Sequence, residues 1–380
     1  MRCITGHVQA ILVGSGWHPS LFRLEMEILC KVRPYRFGTR VVLVNSNYNF
    51  MNSLKKSATL DECLSPYGLS SDFSDIESIM EGWIMEQDLG YEFGKSIAVR
   101  WIRIDGGIGK LNGKKLANHC GRILKQKGWH INLEFPDVEL VFVLDGISEH
   151  IFWGIRQISK HPREGWIKRA ATERPFFKPI SLDPRLARVA LNLVIEEPDG
   201  IICDPMCGTG GVILEGSILN QNMVGIDLDK QMVSGTNENL NWLNKFHKNL
   251  PNQQIIHGNA INCAEILKQN NIQISGLVFD PPYGKNAWKS DELRELFSRV
   301  LTNIRNAPGI SLGSRLVSFL PIKPGINGKD ESIINDVNLG DYSTYELKLI
   351  FKKTGWSILS LHEIPVHGSL ARILICAEAI

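Results

Sequence analysis

The sequence of 380 residues lacks several features that would place it in common protein classes. Its eight cysteines include no Cys-x-x-Cys pair, which argues against a zinc ribbon and against a disulfide framework. No apolar run approaches the length of a membrane span, and the first apolar run, residues 8–13, is too short and wrongly flanked for a signal peptide. We therefore expect a protein of the reducing cytoplasm, with no metal and no membrane partner, and a monomer is slightly favoured.

The net charge is also close to zero, at +2, but the charges are unevenly distributed: some long segments lack basic residues and others lack acidic residues. Residues 57–94 contain no Lys or Arg, residues 110–127 contain no Asp or Glu, and residues 156–178 are again mainly basic. Such segregation favours an anionic partner, nucleic acid above all, although solvated basic faces would give the same pattern. The basic residues that we predict to contact RNA are Lys114, Lys115, Arg122, Lys125, Arg156, Arg169 and Arg174.

The length predicts two or three domains. Residues 1–75 have the pattern of a small α+β unit, and the polar, acidic stretch 65–78 is a candidate linker. In residues 76–168, strand patterns are followed by an amphipathic basic helix at 114–127. Trp101, Trp129, Trp153 and Trp166 lie among basic residues there, so an RNA-binding surface is plausible, although a single tryptophan is more often part of a core.

Residues 169–380 show a third pattern, in which predicted strands end at polar residues. Asp183 and Pro184 are typical of the first residues of a helix. The buried-strand pattern of residues 201–204 runs into a glycine-rich turn at 205–211, where glycines let the backbone approach a ligand closely. Asp204 precedes this turn, and an acid there disfavours a pyrophosphate but suits the ammonium of a methionine-like tail.

Two later strand ends complete a nucleoside pattern. Asp227 could bind both hydroxyls of a ribose, and Asn259 could meet an adenine edge. Together these sites predict S-adenosylmethionine, although glycines that only permit close packing would leave a similar turn. The predicted cofactor residues are Asp204, Cys207, Gly208, Thr209, Gly210, Asp227, Leu228, Asn259, Ala260 and Asp280.

The apolar run 276–279 ends in Asp280-Pro281-Pro282-Tyr283. Prolines end the strand and leave its last carbonyls free to accept hydrogen bonds from a ligand. Asp280 and a neighbouring carbonyl could hold the two N–H groups of an aromatic amine while Tyr283 stacks on its ring. We therefore predict Asp280, Pro281, Pro282 and Tyr283 as catalytic residues, with a proline turn after a buried strand as the structural alternative.

These motifs, with Arg174-Pro-Phe-Phe and His367-Gly-Ser-Leu-Ala-Arg372, resemble those of THUMP-domain RNA guanine-N2 methyltransferases, and most closely the archaeal enzymes that modify guanine 10 of tRNA. The resemblance implies a Rossmann-like α/β domain of class I with seven strands at residues 169–380. It also implies an α+β THUMP domain at 76–168 that grips tRNA, preceded by a ferredoxin-like domain at 1–75. Met206 and Ala371 depart from the family pattern.

The reaction expected is methyl transfer from S-adenosylmethionine to the exocyclic N2 of a guanine in tRNA, with Asp280 and the Pro281 carbonyl orienting the amine. The alternatives are another tRNA or ribosomal RNA guanine, then adenine N6 in DNA, because the same motif can hold any exocyclic amine. A non-catalytic RNA-binding protein that retains the pocket is the last alternative.

Overall fold

A computed structural model of the chain describes residues 8–90, 92, 94–159, 163–179, 181–196, 199–281, 291–322, 324, 343–367 and 370–380. The chain divides into two compact units. The first comprises residues 1–55 and 59–161, and the second comprises residues 56–58 and 162–380.

The first unit contains an eight-stranded mixed sheet with the strand order β2-β3-β1-β4-β8-β7-β5-β6. Its pairs are antiparallel except those of β5 with β6 and with β7. The strands are β1 Val8–Gly14, β2 Tyr35–Arg36, β3 Val41–Ser46, β4 Leu60–Ser70, β5 Ser96–Ile104, β6 His130–Ile131, β7 Val138–Asp145 and β8 His150–Ser159. The helices are α1 Pro19–Cys30, α2 Met51–Leu54, α3 Ile76–Glu86 and α4 Gly113–Gln126.

The predicted linker at residues 65–78 is wrong. Its first half belongs to β4, a long strand that pairs with β1 on one side and β8 on the other. Gly68, which resembles a turn residue in the sequence, is a packing site: a Cβ there would lie 2.3 Å from the Trp153 ring. Because β4 joins both halves of this sheet, the predicted division at residue 75 does not separate two compact units.

Among the described residues of this unit, two apolar clusters each lie in one half of the sheet, and a third joins β1, β3 and β4 to β5, β7 and β8. Leu12, Phe22, Met26 and Val44 belong to one cluster, built from β1, α1 and β3. The other lies between α3, α4 and strands β5, β7 and β8. Helix α4 matches its predicted span, with Asn112 accepting a hydrogen bond from the Lys115 N–H at its start. Its apolar residues face inward and its basic residues face solvent.

The second unit contains the predicted seven-stranded sheet, in the order β11-β10-β9-β12-β13-β15-β14. The first five strands are parallel, and β15 is antiparallel to both β13 and β14. The strands are β9 Ile201–Asp204, β10 Asn222–Asp227, β11 Gln254–His257, β12 Gly276–Phe279, β13 Arg315–Ile322, β14 Trp356–His367 and β15 Leu370–Ala379. The helices are α5 Arg163–Ile167, α6 Pro184–Val194, α7 Gly211–Ile218, α8 Lys230–Leu243, α9 Cys263–Gln269, α10 Asp291–Arg305 and α11 Thr344–Lys353.

Several local predictions are confirmed in this unit. Asp183 accepts a hydrogen bond of 2.8 Å from the Arg185 N–H and so caps α6. The strands predicted at residues 201–204 and 276–279 are β9 and β12. Most of the polar stretch at residues 321–341 lies outside the described residues.

Candidate active site

The carboxyl ends of β9, β10 and β12 bring three acidic residues to one edge of the second sheet. Strand β9 lies between β10 and β12. The strand order therefore reverses at β9, with β10 and β11 on one side and β12 and β13 on the other. Parallel sheets bind ligands in the crevice at such a switch point. Asp204 and Asp227 end β9 and β10, and Asp280 directly follows β12.

The loop after β9 is shaped by two glycines with positive φ, +52° at Gly208 and +79° at Gly210. The Gly208 N–H donates a hydrogen bond of 2.8 Å to Asp227 Oδ2. A Cβ at Gly208 would have no atom within 4 Å, so open space faces the backbone at this point. The Cys207 side chain packs beside Gly225 and is 5% exposed. Its N–H donates to the Ile226 carbonyl at 2.9 Å and its carbonyl accepts from the Gly210 N–H at 2.8 Å, so Cys207 shapes the loop.

Helix α8 holds this loop through two buried polar side chains that sequence reasoning missed. Thr236 Oγ1 donates to the Gly208 carbonyl at 2.8 Å. Asn239 Nδ2 donates to the carbonyls of Thr209 and Phe176 at 2.9 and 2.7 Å, and Asn239 Oδ1 accepts from the Phe176 N–H. Asn239 therefore ties the Arg-Pro-Phe-Phe motif to the glycine loop. The available signal was small and polar residues on the buried face of an otherwise ordinary helix.

Asp227 is oriented by two backbone donors. Its Oδ2 accepts from Gly208 and its Oδ1 accepts from the Asp229 N–H at 2.9 Å. Each carboxylate oxygen retains a lone pair, so both oxygens can still accept hydroxyl donors. Leu228 is 65% exposed beside it, where its side chain is available to a ligand.

Asn259 and Ala260 follow β11 at the same edge. Asn259 Oδ1 accepts from the Ile261 N–H at 3.0 Å and so caps the short 3-10 helix Ala260–Asn262. The Gly258 N–H donates to the Asp227 carbonyl at 2.9 Å and joins this turn to the end of β10. Ala260 is 6% exposed and packs in the core below.

Asp204 is 2% exposed and accepts one hydrogen bond, from the Met206 N–H at 3.1 Å. Burial raises the pKa of Asp204 well above its usual range, and the nearby carboxylates of Asp227 and Asp280 raise it further. Three acids at one strand edge repel one another, and a cationic ligand would relieve that repulsion.

Asp280 has one bound and one unbound carboxylate oxygen. Its Oδ2 lies 3.3 Å from Arg372 Nη2 on β15. Its Oδ1 is buried and has no hydrogen-bond partner among the residues that the structure describes. Burial raises the pKa of Asp280 to about 6, and the Arg372 guanidinium opposes that rise. Pro281 is buried, and Pro282 and Tyr283 lie outside the described residues.

The seven predicted RNA-binding residues divide into two groups. Lys114, Lys115, Arg122 and Lys125 are exposed along α4. Lys115 also forms an ion pair of 3.0 Å with Glu77 on α3, so part of the acidic segment lies beside the basic helix.

The prediction that Arg156, Arg169 and Arg174 bind RNA is not supported. Arg156 bonds to Glu62 and Glu139 in the first unit. In the second unit, Arg169 bonds to Glu215 on α7 at 2.7 Å, and Arg174 is 3% exposed. Arginine suits such buried pairs because its planar guanidinium can bind several acceptors at once.

Comparison with known proteins gives consistent results. The family profile described as "RMKL-like, methyltransferase domain" matches residues 171–320. A tRNA (guanine(10)-N2)-dimethyltransferase of Methanocaldococcus jannaschii is 32% identical over 206 residues, 53% of this chain and 57% of the relative. A protein of the same name from Methanothermobacter thermautotrophicus is 32% identical over 199 residues, 52% of this chain and 55% of the relative.

A longer match covers most of a third relative. The tRNA (guanine(10)-N2)-dimethyltransferase of Pyrococcus abyssi is 30% identical over 266 residues, 70% of this chain and 69% of that protein. The chain thus spans little more than half the length of the first two relatives and over two thirds of the third.

Proposed function

The chain belongs to the family of the tRNA (guanine(10)-N2)-dimethyltransferases, and we propose that it transfers methyl groups from S-adenosylmethionine to N2 of guanine 10 in tRNA. The observation that carries this proposal is Asp280 Oδ1, which is buried and has no partner within the described part of the chain, at the edge that also holds Asp204 and Asp227. Such an acceptor fits an N–H donor brought by a substrate, because a buried acceptor without a partner costs stability.

The residues at the strand edge fit S-adenosylmethionine, which supplies an electrophilic methyl group on a sulfonium. The open space at Gly208 admits the cofactor close to the backbone. Asp227 retains lone pairs for the ribose hydroxyls. Asn259 can donate its amide N–H to the adenine ring, and buried Asp204 suits the ammonium group.

Arg174 completes this set in a role that the sequence did not predict. Its Nη1 is buried without a partner among the described residues, and a Cβ at Gly211 would lie 3.4 Å from it. Gly211 is the first residue of α7, where unpaired N–H groups and the helix dipole favour an anion. We therefore assign Arg174 to the cofactor carboxylate rather than to RNA.

Asp280 then prepares the amine. Its Oδ1 and the Pro281 carbonyl would accept the two N–H groups of guanine N2, which aims the nitrogen lone pair at the methyl carbon. As the N–C bond forms and the S–C bond breaks, the nitrogen becomes acidic and gives up a proton, which Asp280 can accept. We expect Tyr283 to stack on the base.

The first unit is proposed to grip tRNA. Its exposed basic helix α4 suits phosphates, and Trp101 nearby is 41% exposed with the Arg103 guanidinium 5.3 Å from its ring centre. Trp129 and Trp153 are buried and serve the core instead. Two apolar clusters, one in each half of the sheet, support a ferredoxin-like part near residues 1–75 and a THUMP part that begins near residue 76, and the two parts share the sheet and a third cluster.

The test uses the purified full chain, labelled S-adenosylmethionine and two unmodified tRNA transcripts that differ only in guanine or adenine at position 10. We expect N2-methylated guanosine in the first transcript and no label in the second. Equal labelling of both would move the target to another nucleotide, and absence of label from both would refute the proposed activity.

A further inference from the structure

Arg372 on β15 lies against the proposed amine-binding residue. In the sheet, Arg372 is opposite Pro321 of β13 and Ile364 of β14. Its side chain is 14% exposed, that of Asp280 is 16% exposed, and Nη2 and Oδ2 are 3.3 Å apart. This contact joins the closing hairpin to the end of β12, two elements that are distant in sequence.

Among the residues that the structure describes, the other charged groups around Asp280 do not provide a counter-charge. Asp204 on β9 and Asp227 on β10 are acids. Helix α6, which packs on β12 and β13, carries Arg188, but that guanidinium is held by Glu215 at 2.8 Å. On β14, His362 is paired with Leu374, two residues along β15 from Arg372, and its Nε2 contacts Ser360.

We propose that Arg372 is a positioning residue for Asp280: by binding Oδ2 it keeps the carboxylate ionised and leaves Oδ1 as the oxygen that accepts an N–H from the target amine. This inference rests on the proposed function. It also adds a role for the His-Gly-Ser-Leu-Ala-Arg segment, because the final residue of this segment is Arg372 and acts on the target amine by orienting Asp280.

The physical reason is the polarity of the hydrogen bond. An ionised carboxylate accepts from the amine N–H and leaves the nitrogen lone pair free. A protonated Asp280 could present an O–H to that lone pair instead, which would oppose attack on the methyl group. Burial already raises the pKa of Asp280 to about 6. Loss of the nearby cation must raise this pKa further.

The experiment compares the wild type with Arg372→Met and Arg372→Lys by two measurements. The first is the pH dependence of kcat on tRNA. We expect the wild-type rate to rise with pH through about 6, the pKa of Asp280. For Arg372→Met we expect this rise to move at least about one pH unit higher, which is a tenfold loss of rate below the new pKa. The rate should recover in alkaline buffer, and Arg372→Lys should lie between the two.

The second measurement does not depend on activity. NMR of the side-chain carboxyl carbons in ¹³C-aspartate-labelled protein follows the titration of Asp280. Its signal is identified by its loss in Asp280→Asn. We expect the Asp280 titration in Arg372→Met to shift in the same direction as the rate profile. The affinity for S-adenosylmethionine should stay within about threefold of wild type, a free-energy change less than half of that for a tenfold change in affinity.

The outcomes separate the two proposals. A wild-type protein that methylates no tRNA refutes the proposed function, whereas an unshifted Asp280 titration in folded Arg372→Met refutes this inference. If Arg372→Met does not fold, as judged by its thermal melt, the titration of Arg372→Lys decides. A shift of the titration without any change in the rate profile would also overturn the positioning role.

Discussion

Two groups of basic residues that look alike in the sequence have opposite surroundings in the structure. Those of α4 lie exposed along one helix in the first unit. Arg156, Arg169 and Arg174 are partly or fully buried and bond to carboxylates or backbone carbonyls of their own unit. Basic clusters in a sequence therefore indicate charge but not its accessibility, and arginine in particular often serves internal structure.

Among the variants that test the buried arginines, Glu215→Gln should have the largest effect. Glu215 is fully buried and holds Arg169 at 2.7 Å and Arg188 at 2.8 Å, while both guanidinium groups also lie near Trp166. Loss of the shared carboxylate leaves two cations poorly compensated, so we expect the free energy of unfolding to fall by about 3–5 kcal/mol. Urea unfolding measures this, with Glu238→Gln on the exposed face of α8 as the control. Equal stability of the two variants would mean that the network is not structural.

A second variant, Arg156→Met, separates structure from RNA binding in the first unit. Arg156 bonds to Glu62 at 2.7 Å, and burial raises the pKa of Glu62 while Arg156 lowers it. Without Arg156 the pKa of Glu62 rises further, so the destabilisation, about 2–4 kcal/mol, should be largest at neutral pH and diminish as Glu62 protonates in acid.

The matched control for Arg156→Met is Arg33→Met, at an exposed position after α1. Thermal melts from pH 5 to pH 8 give the stability, and tRNA binding is measured below both melting temperatures. We expect tRNA affinity to be unchanged. Weaker binding by the folded variant would return Arg156 to the RNA-binding group.

The exposed group is tested by changing Lys114, Lys115, Arg122 and Lys125 together to Glu. We expect tRNA affinity to fall roughly 10- to 100-fold and the salt dependence of binding to become shallower, because fewer counterions are released. Filter binding across a salt series measures both effects. The control reverses four exposed lysines of the second unit, Lys245, Lys248, Lys352 and Lys353. The same loss in both variants would indicate a general charge effect and not a surface on α4.

The second unit was more predictable from the sequence than the first for a physical reason. Its strands β9, β10 and β12 are short and mainly apolar, and each ends at Asp or directly before Asp, so these three strand ends carried a signal. In the first unit, β4 has a half-exposed, polar second part with Pro66 and Gly68, which resembles a loop. Its structure depends on pairing with β8, which is distant in the sequence, and the local sequence pattern of β4 does not indicate that pairing.

The site shows the same division. Asp204, Asp227 and Asp280 were predictable because they stand at strand ends. Thr236, Asn239 and the contact of Arg372 with Asp280 were not, because they depend on which helix and which hairpin pack beside those ends. Tertiary packing therefore provides the residues that orient a site, while local sequence indicates the residues that form it.

The central claim is that Asp280 serves the amine and not the cofactor, and Asp280→Ala tests it most directly. S-adenosylmethionine affinity by calorimetry and methyl transfer to tRNA are measured on the same preparation. We predict that transfer falls by at least 10²- to 10³-fold, the order found when one oriented hydrogen-bonding group is removed, while cofactor affinity remains largely intact. Loss of both together would contradict the account and assign Asp280 a structural role.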